Sequence, residues 1–329
     1  MKASPSSILR YLPFRRIQPK APAAATVAPS PVPTQFDQVL STELDTLELS
    51  LGNSTTSSGE IGLAHFLDAA ITTQKIALGS LLKNTSNFED DKDRVAAEDY
   101  LDSNIEILDA FNHHVKKLGH MKNYVDSLKI VAHLIEVGSG RPNCAATARA
   151  SEHLDSCHGM EKRFKAMEKH GSSLSRRVLK KRLIRNHERM LNDVLFSSKA
   201  MALMGCKFLE LGLSFDSSKI RSIPLNLMKK SHPRTSSLSW LRFVQEFDKM
   251  GKYAYGCLLM NELLDASKEL KELMKGKKGN KMLVESCVER VKRRCNELED
   301  FIEIIEGRVN VLHKSLIDVR MALMGILSH

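Results

Sequence analysis

Residues 283–329 carry apolar side chains at Val284, Val288, Val291, Cys295, Leu298, Ile302, Ile305, Val309, Leu312, Leu316, Val319, Leu323 and Ile326. The interval alternates between four and three throughout, which is the heptad seam of a helix that packs along its whole length. Written as one helix, the stretch is about 65–70 Å long at about 1.5 Å per residue. Glu285, Glu289, Arg290, Lys292, Arg293, Arg294, Glu297, Glu299, Asp300, Glu303, Glu306 and Arg308 solvate its other faces. A stripe this narrow cannot bury itself, so other helices, of this chain or of a second copy, must lie along it. The pattern predicts an all-α fold: a bundle of long antiparallel helices closed by a C-terminal heptad-repeat helix.

Composition supports helices over sheets. Aromatic residues are 5% of the chain with a single tryptophan, against 42% hydrophobic residues overall, and Pro and Gly are few after the first segment. The six cysteines, Cys144, Cys157, Cys206, Cys257, Cys287 and Cys295, form no CxxC pair. That spacing argues against a disulfide framework or zinc ribbon and for a reducing compartment. No apolar run is long enough for a bilayer. The nearest, over 194–213, contains Lys199, Lys207 and Glu210, each costly at membrane depth, so it reads as a buried core helix and no transmembrane span is expected. A net charge of +10 admits nucleic acid, acidic lipid or an acidic protein as partner, and equally a solvated surface.

Residues 1–34 contain Lys2, Arg10, Arg15, Arg16 and Lys20 and no acid, the first being Asp37. This segment reads as an organelle transit peptide or as a Pro-rich disordered tail, ahead of one helical domain over 35–329. A first helix places Phe36, Leu40, Leu44, Leu47 and Leu51 on one face and ends at Gly52-Asn53. A second runs over 60–82 with Leu63, Phe66, Leu67, Ala70, Ile71, Leu78 and Leu81 inward. The acidic turn Glu89-Asp90-Asp91 suits the N-terminus of a third, whose stripe is Leu101, Ile105, Leu108, Phe111, Val115 and Leu118. Gly119 separates it from a fourth, with Met121, Tyr124, Leu128, Val131 and Ile135 inward, which stops in the loop chemistry of 138–142. A weaker helical region over 145–170 offers Leu154, Cys157, Phe164 and Met167, and a long helix follows over 175–213. After an irregular connection over 215–237, one helix presents Trp240, Val244, Phe247, Ala254 and Leu258, then Leu263, Leu264, Leu270 and Leu273. A basic, glycine-broken loop over 275–281 leads into the final seam.

The most charged local feature is Arg176, Arg177, Lys180, Lys181, Arg182, Arg185 and Arg189. Leu179, Leu183, Met190 and Val194 fill a narrow sector of the same helix, so the cations occupy most of its remaining circumference. Such a basic amphipathic helix suits an acidic protein, anionic lipid headgroups or phosphates, and the run also has the composition of a nuclear localisation signal. Nucleic-acid binding is disfavoured because only Phe196 lies nearby as a stacking residue. His113, His114 and His120 form one histidine group, and His153 with Cys157 and His158 another. Neither supplies three or four convergent ligands by local spacing, so no metal site is assigned. Glu89-Asp90-Asp91 and Glu299-Asp300 sit in solvated charge runs without the differing environments an acid/base pair needs. There is no HExxH, G-x-S-x-G, GxxxxGK[ST] or GxGxxG motif, and no catalytic residue or cofactor is assigned.

Three places along the chain resemble the plant BYPASS family of helical proteins. Asp99-Tyr100-Leu101-Asp102 followed by Ile107-Leu108-Asp109 is similar to that family's tyrosine-leucine-aspartate and leucine-leucine-aspartate helix. Ser239-Trp240-Leu241-Arg242-Phe243 stands where its tryptophan-bearing helix does, and the end of the chain from Val319 and Arg320 to Leu327 is similar to its closing arginine-then-leucine pattern. The resemblance implies a non-enzymatic regulatory protein of root and shoot development that restrains a root-derived mobile signal. It implies no cofactor. Some relatives are described as chloroplastic or membrane-associated and others as partners of the secretory exocyst. The expectation is therefore an intracellular, cytoplasmic interaction protein with protein partners and with self-association through the C-terminal heptads. The alternatives are a peripheral protein that binds anionic membrane or nucleic acid through the residues from Arg176 to Arg189, and a scaffold associated with the secretory exocyst.

Overall fold

The computed structural model of the protein describes residues 35–53, 59–83, 91–139, 144–180, 190–215, 239–251, 254–275 and 281–328. Among these residues the elements are all helices: α1 (Gln35–Asn53), α2 (Gly59–Lys83), α3 (Asp91–Ser139), α4 (Cys144–Lys180), α5 (Met190–Gly212), α6 (Ser239–Met250), α7 (Tyr255–Lys275) and α8 (Lys281–Leu327). The predicted transit-like segment 1–34, the basic loop and most of the irregular connection fall outside the described residues.

The heptad helix forms as one rod of 47 residues. Every seam position from Val288 to Leu323 is buried, while Val284 and Ile326 at the two ends are half-buried. Each fully buried aliphatic side chain contributes about 1.5–3 kcal/mol relative to an exposed one, which is why the seam dictates the packing. Its cover comes from its own chain. α3 lies antiparallel to α8, with the Asn104 side-chain amide donating to the Leu316 carbonyl at 3.3 Å and Arg320 donating to the Leu101 carbonyl at 2.7 Å. α7 is antiparallel on another side, where Arg294 pairs with Glu262 at 2.7 Å and Cys287 approaches the Ala266 carbonyl at 3.5 Å. α2 runs parallel to α8, and Arg308 donates to both carboxylate oxygens of Asp68, at 3.1 and 3.0 Å.

α5 sits inside this shell. Val194 to Cys206 is buried without interruption, as the sequence reading of a core helix requires. Its Phe208 packs with Phe66 of α2 and Phe247 of α6 at centroid distances of 4.6 and 4.7 Å. Lys199 is buried, and its Nζ donates to Asp99 of α3 at 2.8 Å. Gly256 marks a close approach: a Cβ there would lie 2.4 Å from the Phe301 ring and 2.7 Å from the Gly212 carbonyl.

Four expectations about the elements are corrected. Gly119 does not divide the third and fourth helices, which form one rod of 49 residues. A glycine inside a helix costs only about 1 kcal/mol against alanine, far less than breaking a helix packed on both sides of it. The same holds at Gly171-Ser172-Ser173, where α4 runs through, so 175–180 belongs to α4 and α5 begins at Met190. The helix expected from Trp240 to Leu273 is two, because Gly251 adopts φ 61° and ends α6. The Gly251 amide donates to the Asp248 carbonyl and the Ala254 amide to the Gly251 carbonyl, both at 3.2 Å.

The fourth correction concerns phase. Among the buried positions of α3, Ala97, Tyr100, Asn104, Ile107, Phe111, His114, Leu118, Met121, Val125, Leu128 and Ala132 again alternate three and four, with Asp93, Ser103, Ala110, Lys117, Tyr124 and Val131 buried beside them. Ile105, expected inward, is 47% exposed. Leu258 of α7 is likewise exposed, and the side chains of Phe36, Leu47, Leu51 and Trp240 lie outside those described.

Candidate functional site

The basic run is divided by the fold. The backbone of Arg176, Arg177 and Lys180 is in the last turns of α4, and their side chains lie outside those described. Lys181, Arg182, Arg185 and Arg189 fall outside the described residues, as does Leu183 of the apolar sector. The long helix that was to carry all seven is not a single element from 175 to 213, since α4 and α5 are separate.

The histidine groups do not converge. His153 is exposed while Cys157 is buried, and His158 turns to Glu161 at 3.0 Å. Among the described residues no three His, Cys, Asp or Glu side chains are arranged to hold a metal ion. The five described cysteines are free and buried, and burial raises the thiols of Cys157 to about 11 and Cys295 to about 12. Burial keeps the Cys157 and Cys295 thiols protonated at neutral pH, where they act as small hydrophobes rather than nucleophiles.

Buried polar groups instead cluster on α3, some of them, such as Asn104 and Lys117, at positions that the sequence reading left unassigned. Near its start, Gln74, Tyr100 and Ser198 form a closed set joining α2, α3 and α5. The Ser198 hydroxyl donates to Gln74 Oε1 at 2.6 Å, the Gln74 amide donates to the Ser198 carbonyl at 2.8 Å, and the Tyr100 and Ser198 hydroxyls are 3.1 Å apart. Burial pushes the Tyr100 phenol up to about 12, which keeps it a neutral donor. This layer lies between the main core and a small apolar cluster of Leu81, Ala97, Leu195, Val319 and Leu323. Asn104 Oδ1 and Ser197 Oγ are buried there without a partner among the described residues.

About four turns on from Tyr100, His114 is buried and held neutral. Burial, then the neighbouring Lys117 and His113, lowers its pKa to about 3, opposed by Glu210 and by a hydrogen bond to the Cys206 backbone. Lys117 pairs with Glu168 of α4 at 3.5 Å, both nearly inaccessible. Glu168 also accepts from the Ser214 hydroxyl at 3.1 Å and from the Phe215 amide, which fastens the end of α5 to α4. Further along, Tyr124 donates to Glu161 at 3.0 Å. Each of these groups ties one helix to another; none leaves a nucleophile facing a cavity.

One concavity on the described surface is a groove between the C-terminal half of α3 and the N-terminal half of α8, about 710 Å³ in volume. It is lined by Lys129, His133, Glu136, Glu289, Lys292, Arg293, Asn296, Glu297 and Asp300. Its charges answer one another, Lys129 pairing with Glu299 and Lys292 with Glu136 and Glu289. Its lining holds three cations against four acids, so the groove has no positive excess to gather an anion. The Glu299-Asp300 pair is therefore solvated or salt-bridged, as its sequence setting suggests.

The missed polar positions had a signal. Ala97 to Ala132 keeps heptad spacing, but Asn104 and His114 interrupt its apolar character, and a search for apolar residues alone settles on Leu101, Ile105 and Leu108 beside it. No protein-family model matches the chain, and no curated protein or solved structure matches it either.

Proposed function

We propose that the chain is a non-enzymatic helical interaction protein with a regulatory role in root and shoot development, restraining a root-derived mobile signal in the way its resemblance to the plant BYPASS family implies. The observation that carries the reading is the use made of buried ionisable groups. Lys117 with Glu168, Lys199 with Asp99, and Glu161 with Tyr124 each fasten one helix to another. Chemistry of that kind builds a rigid body and spends its polar side chains on register, leaving the outer flanks of α3 and α8 as surface for partners. No helix among the described residues is long and apolar enough to cross a membrane.

Reciprocal grafting tests the developmental part. A root lacking the protein is expected to arrest a normal shoot, and a normal root to sustain a shoot lacking it. Normal growth above the deficient root would remove the proposal. Turnover of a small molecule by the purified protein, abolished by one substitution, would remove its non-enzymatic part. Proximity labelling in plant tissue with the N-terminus left free reports compartment and neighbours together.

A further inference from the structure

The polar flank of the α3–α8 pair has an apolar counterpart. Lys129, Glu136, Lys292 and Glu299 each follow a seam residue by one position, and their ion pairs define one flank along which the two helices face each other. Leu101, Ile105, Ile317 and Met324 also follow seam residues by one, at the opposite end of the pair. The bond from Arg320 to the Leu101 carbonyl fixes this end of the same flank. Ile105 is 47% exposed, Ile317 38%, Met321 60% and Met324 45%, with Leu101 half-buried between them. Leu101 and Ile105 are one turn apart on α3, while Ile317, Met321 and Met324 follow i, i+4, i+7 on α8, so the two form a shallow strip about two turns long.

Charge selects what covers it. Residues 91–109 contain seven acids and two bases in a chain of net charge +10. Beside the strip, Asp102, Asp109 and Asp318 are exposed and bond to no described residue, while of the cations near it Lys314 is exposed, Arg94 pairs with Glu98, and Arg320 is half-buried with its guanidinium on the Leu101 carbonyl. A second copy laid face to face on the strip would set acid against acid, and an anionic membrane would be repelled. A cationic helix is attracted. Two methionines give an apolar surface that adapts to unlike side chains.

We infer that this strip, Leu101 and Ile105 of α3 with Ile317, Met321 and Met324 of α8, docks a basic amphipathic helix of a partner protein. It rests on reading the chain as an interaction protein and adds the partner's chemistry. Aliphatic residues at i, i+4 and i+7 of the partner fill the strip, and its flanking Lys or Arg meet Asp102, Asp109 and Asp318.

The test uses the full chain and two synthetic helical peptides with the same leucine stripe, one flanked by lysines and the other by glutamates. Fluorescence anisotropy should show the lysine peptide binding at least about tenfold tighter than the glutamate peptide, with the preference falling as salt rises. Ile105→Ser with Met321→Ser should abolish binding without moving the thermal midpoint, since both side chains are exposed. Asp102→Lys with Asp109→Lys should erase the preference for lysine. Equal binding of both peptides, binding of neither, or indifference to the serine pair would overturn the inference. A dimer in sedimentation, or attachment to phosphatidylserine vesicles, that the serine pair abolishes would overturn it too, by naming a different occupant. None of these results bears on the grafting outcome, so the strip can fail while the developmental reading stands.

Discussion

α3 and α8 are rods of 49 and 47 residues, antiparallel and in contact, yet their seams are made differently. From Val288 to Leu323 the seam of α8 is apolar at every step; that of α3 carries Asn104 and His114 at the same depth, with Ser103 and Lys117 beside them. An apolar seam says that a helix is buried but little about where, because one leucine covers another in many registers. A polar one is selective: Asn104 reaches the Leu316 carbonyl, and Lys117 reaches Glu168, in one register only. In this protein α8 supplies burial and α3 supplies position.

The comparison predicts unequal responses to the same truncation. Leu312→Ala in α8 is expected to cost about 3–5 kcal/mol, because Leu312 is fully buried and its cavity borders packed helices. Asn104→Ala in α3 should cost about 1–2 kcal/mol, the loss of one buried hydrogen bond with Asn104 Oδ1 already unpartnered. Urea unfolding of both variants decides the matter, and equal losses would show that α3 is held by the same forces as α8.

A second difference appears on acidification. The folded-state pKa of His114 lies near 3, below the ordinary 6.5, so the unfolded chain binds the proton more readily. The stability that depends on neutral His114 is complete above about pH 6.5 and is lost as the pH falls toward 3, at about 1.4 kcal/mol per pH unit. Between pH 7 and pH 4.5 this amounts to about 2–3 kcal/mol. His114→Gln should lose that much less than the parent chain over the same interval. Parallel pH profiles for the two would mean that the ring is not held neutral.

How much of this was legible follows the same division. The seam of α8 could be read residue by residue because burial there uses only apolar side chains. α5 was legible for a similar reason, its Lys199 and Lys207 being the exceptions that pair with Asp99 and Glu210. α3 misled: Leu101, Ile105 and Leu108 look like a core stripe, whereas the chain buries Tyr100, Asn104 and Ile107. Partners on α2 and α5 decide that choice, and local spacing does not contain Gln74 or Ser198. Gly251 was passed over because a glycine within a helical pattern announces a break only when its φ is known, and Gly256 because nothing local foretells the Phe301 ring against its Cα. Of the candidate site, the basic run was legible as composition, but whether its seven cations share one helix was not.

The Gln74–Tyr100–Ser198 layer sharpens the contrast with a smaller effect. Tyr100→Phe removes one hydroxyl but leaves the Ser198 bond to Gln74 Oε1 at 2.6 Å, so no group is orphaned. The expected loss is about 1 kcal/mol by urea unfolding, and a loss as large as that of Leu312→Ala would mean that the layer acts as one cooperative unit.

The smallest expected effect has the opposite sign. Gly119 stands in the middle of α3 with helical residues on both sides, and a Cβ built on it meets nothing within 4 Å. Gly307 has the same setting in α8. Alanine at either position restricts the unfolded chain and costs the folded one nothing, so Gly119→Ala and Gly307→Ala should each stabilise by about 0.5–1 kcal/mol. The pair is a matched control, because the two helices differ in their seams and not in their backbones. If Gly307→Ala stabilises while Gly119→Ala destabilises, α3 bends or opens at Gly119 in solution, and the rod that sets the register of the bundle is two shorter helices with a joint between them.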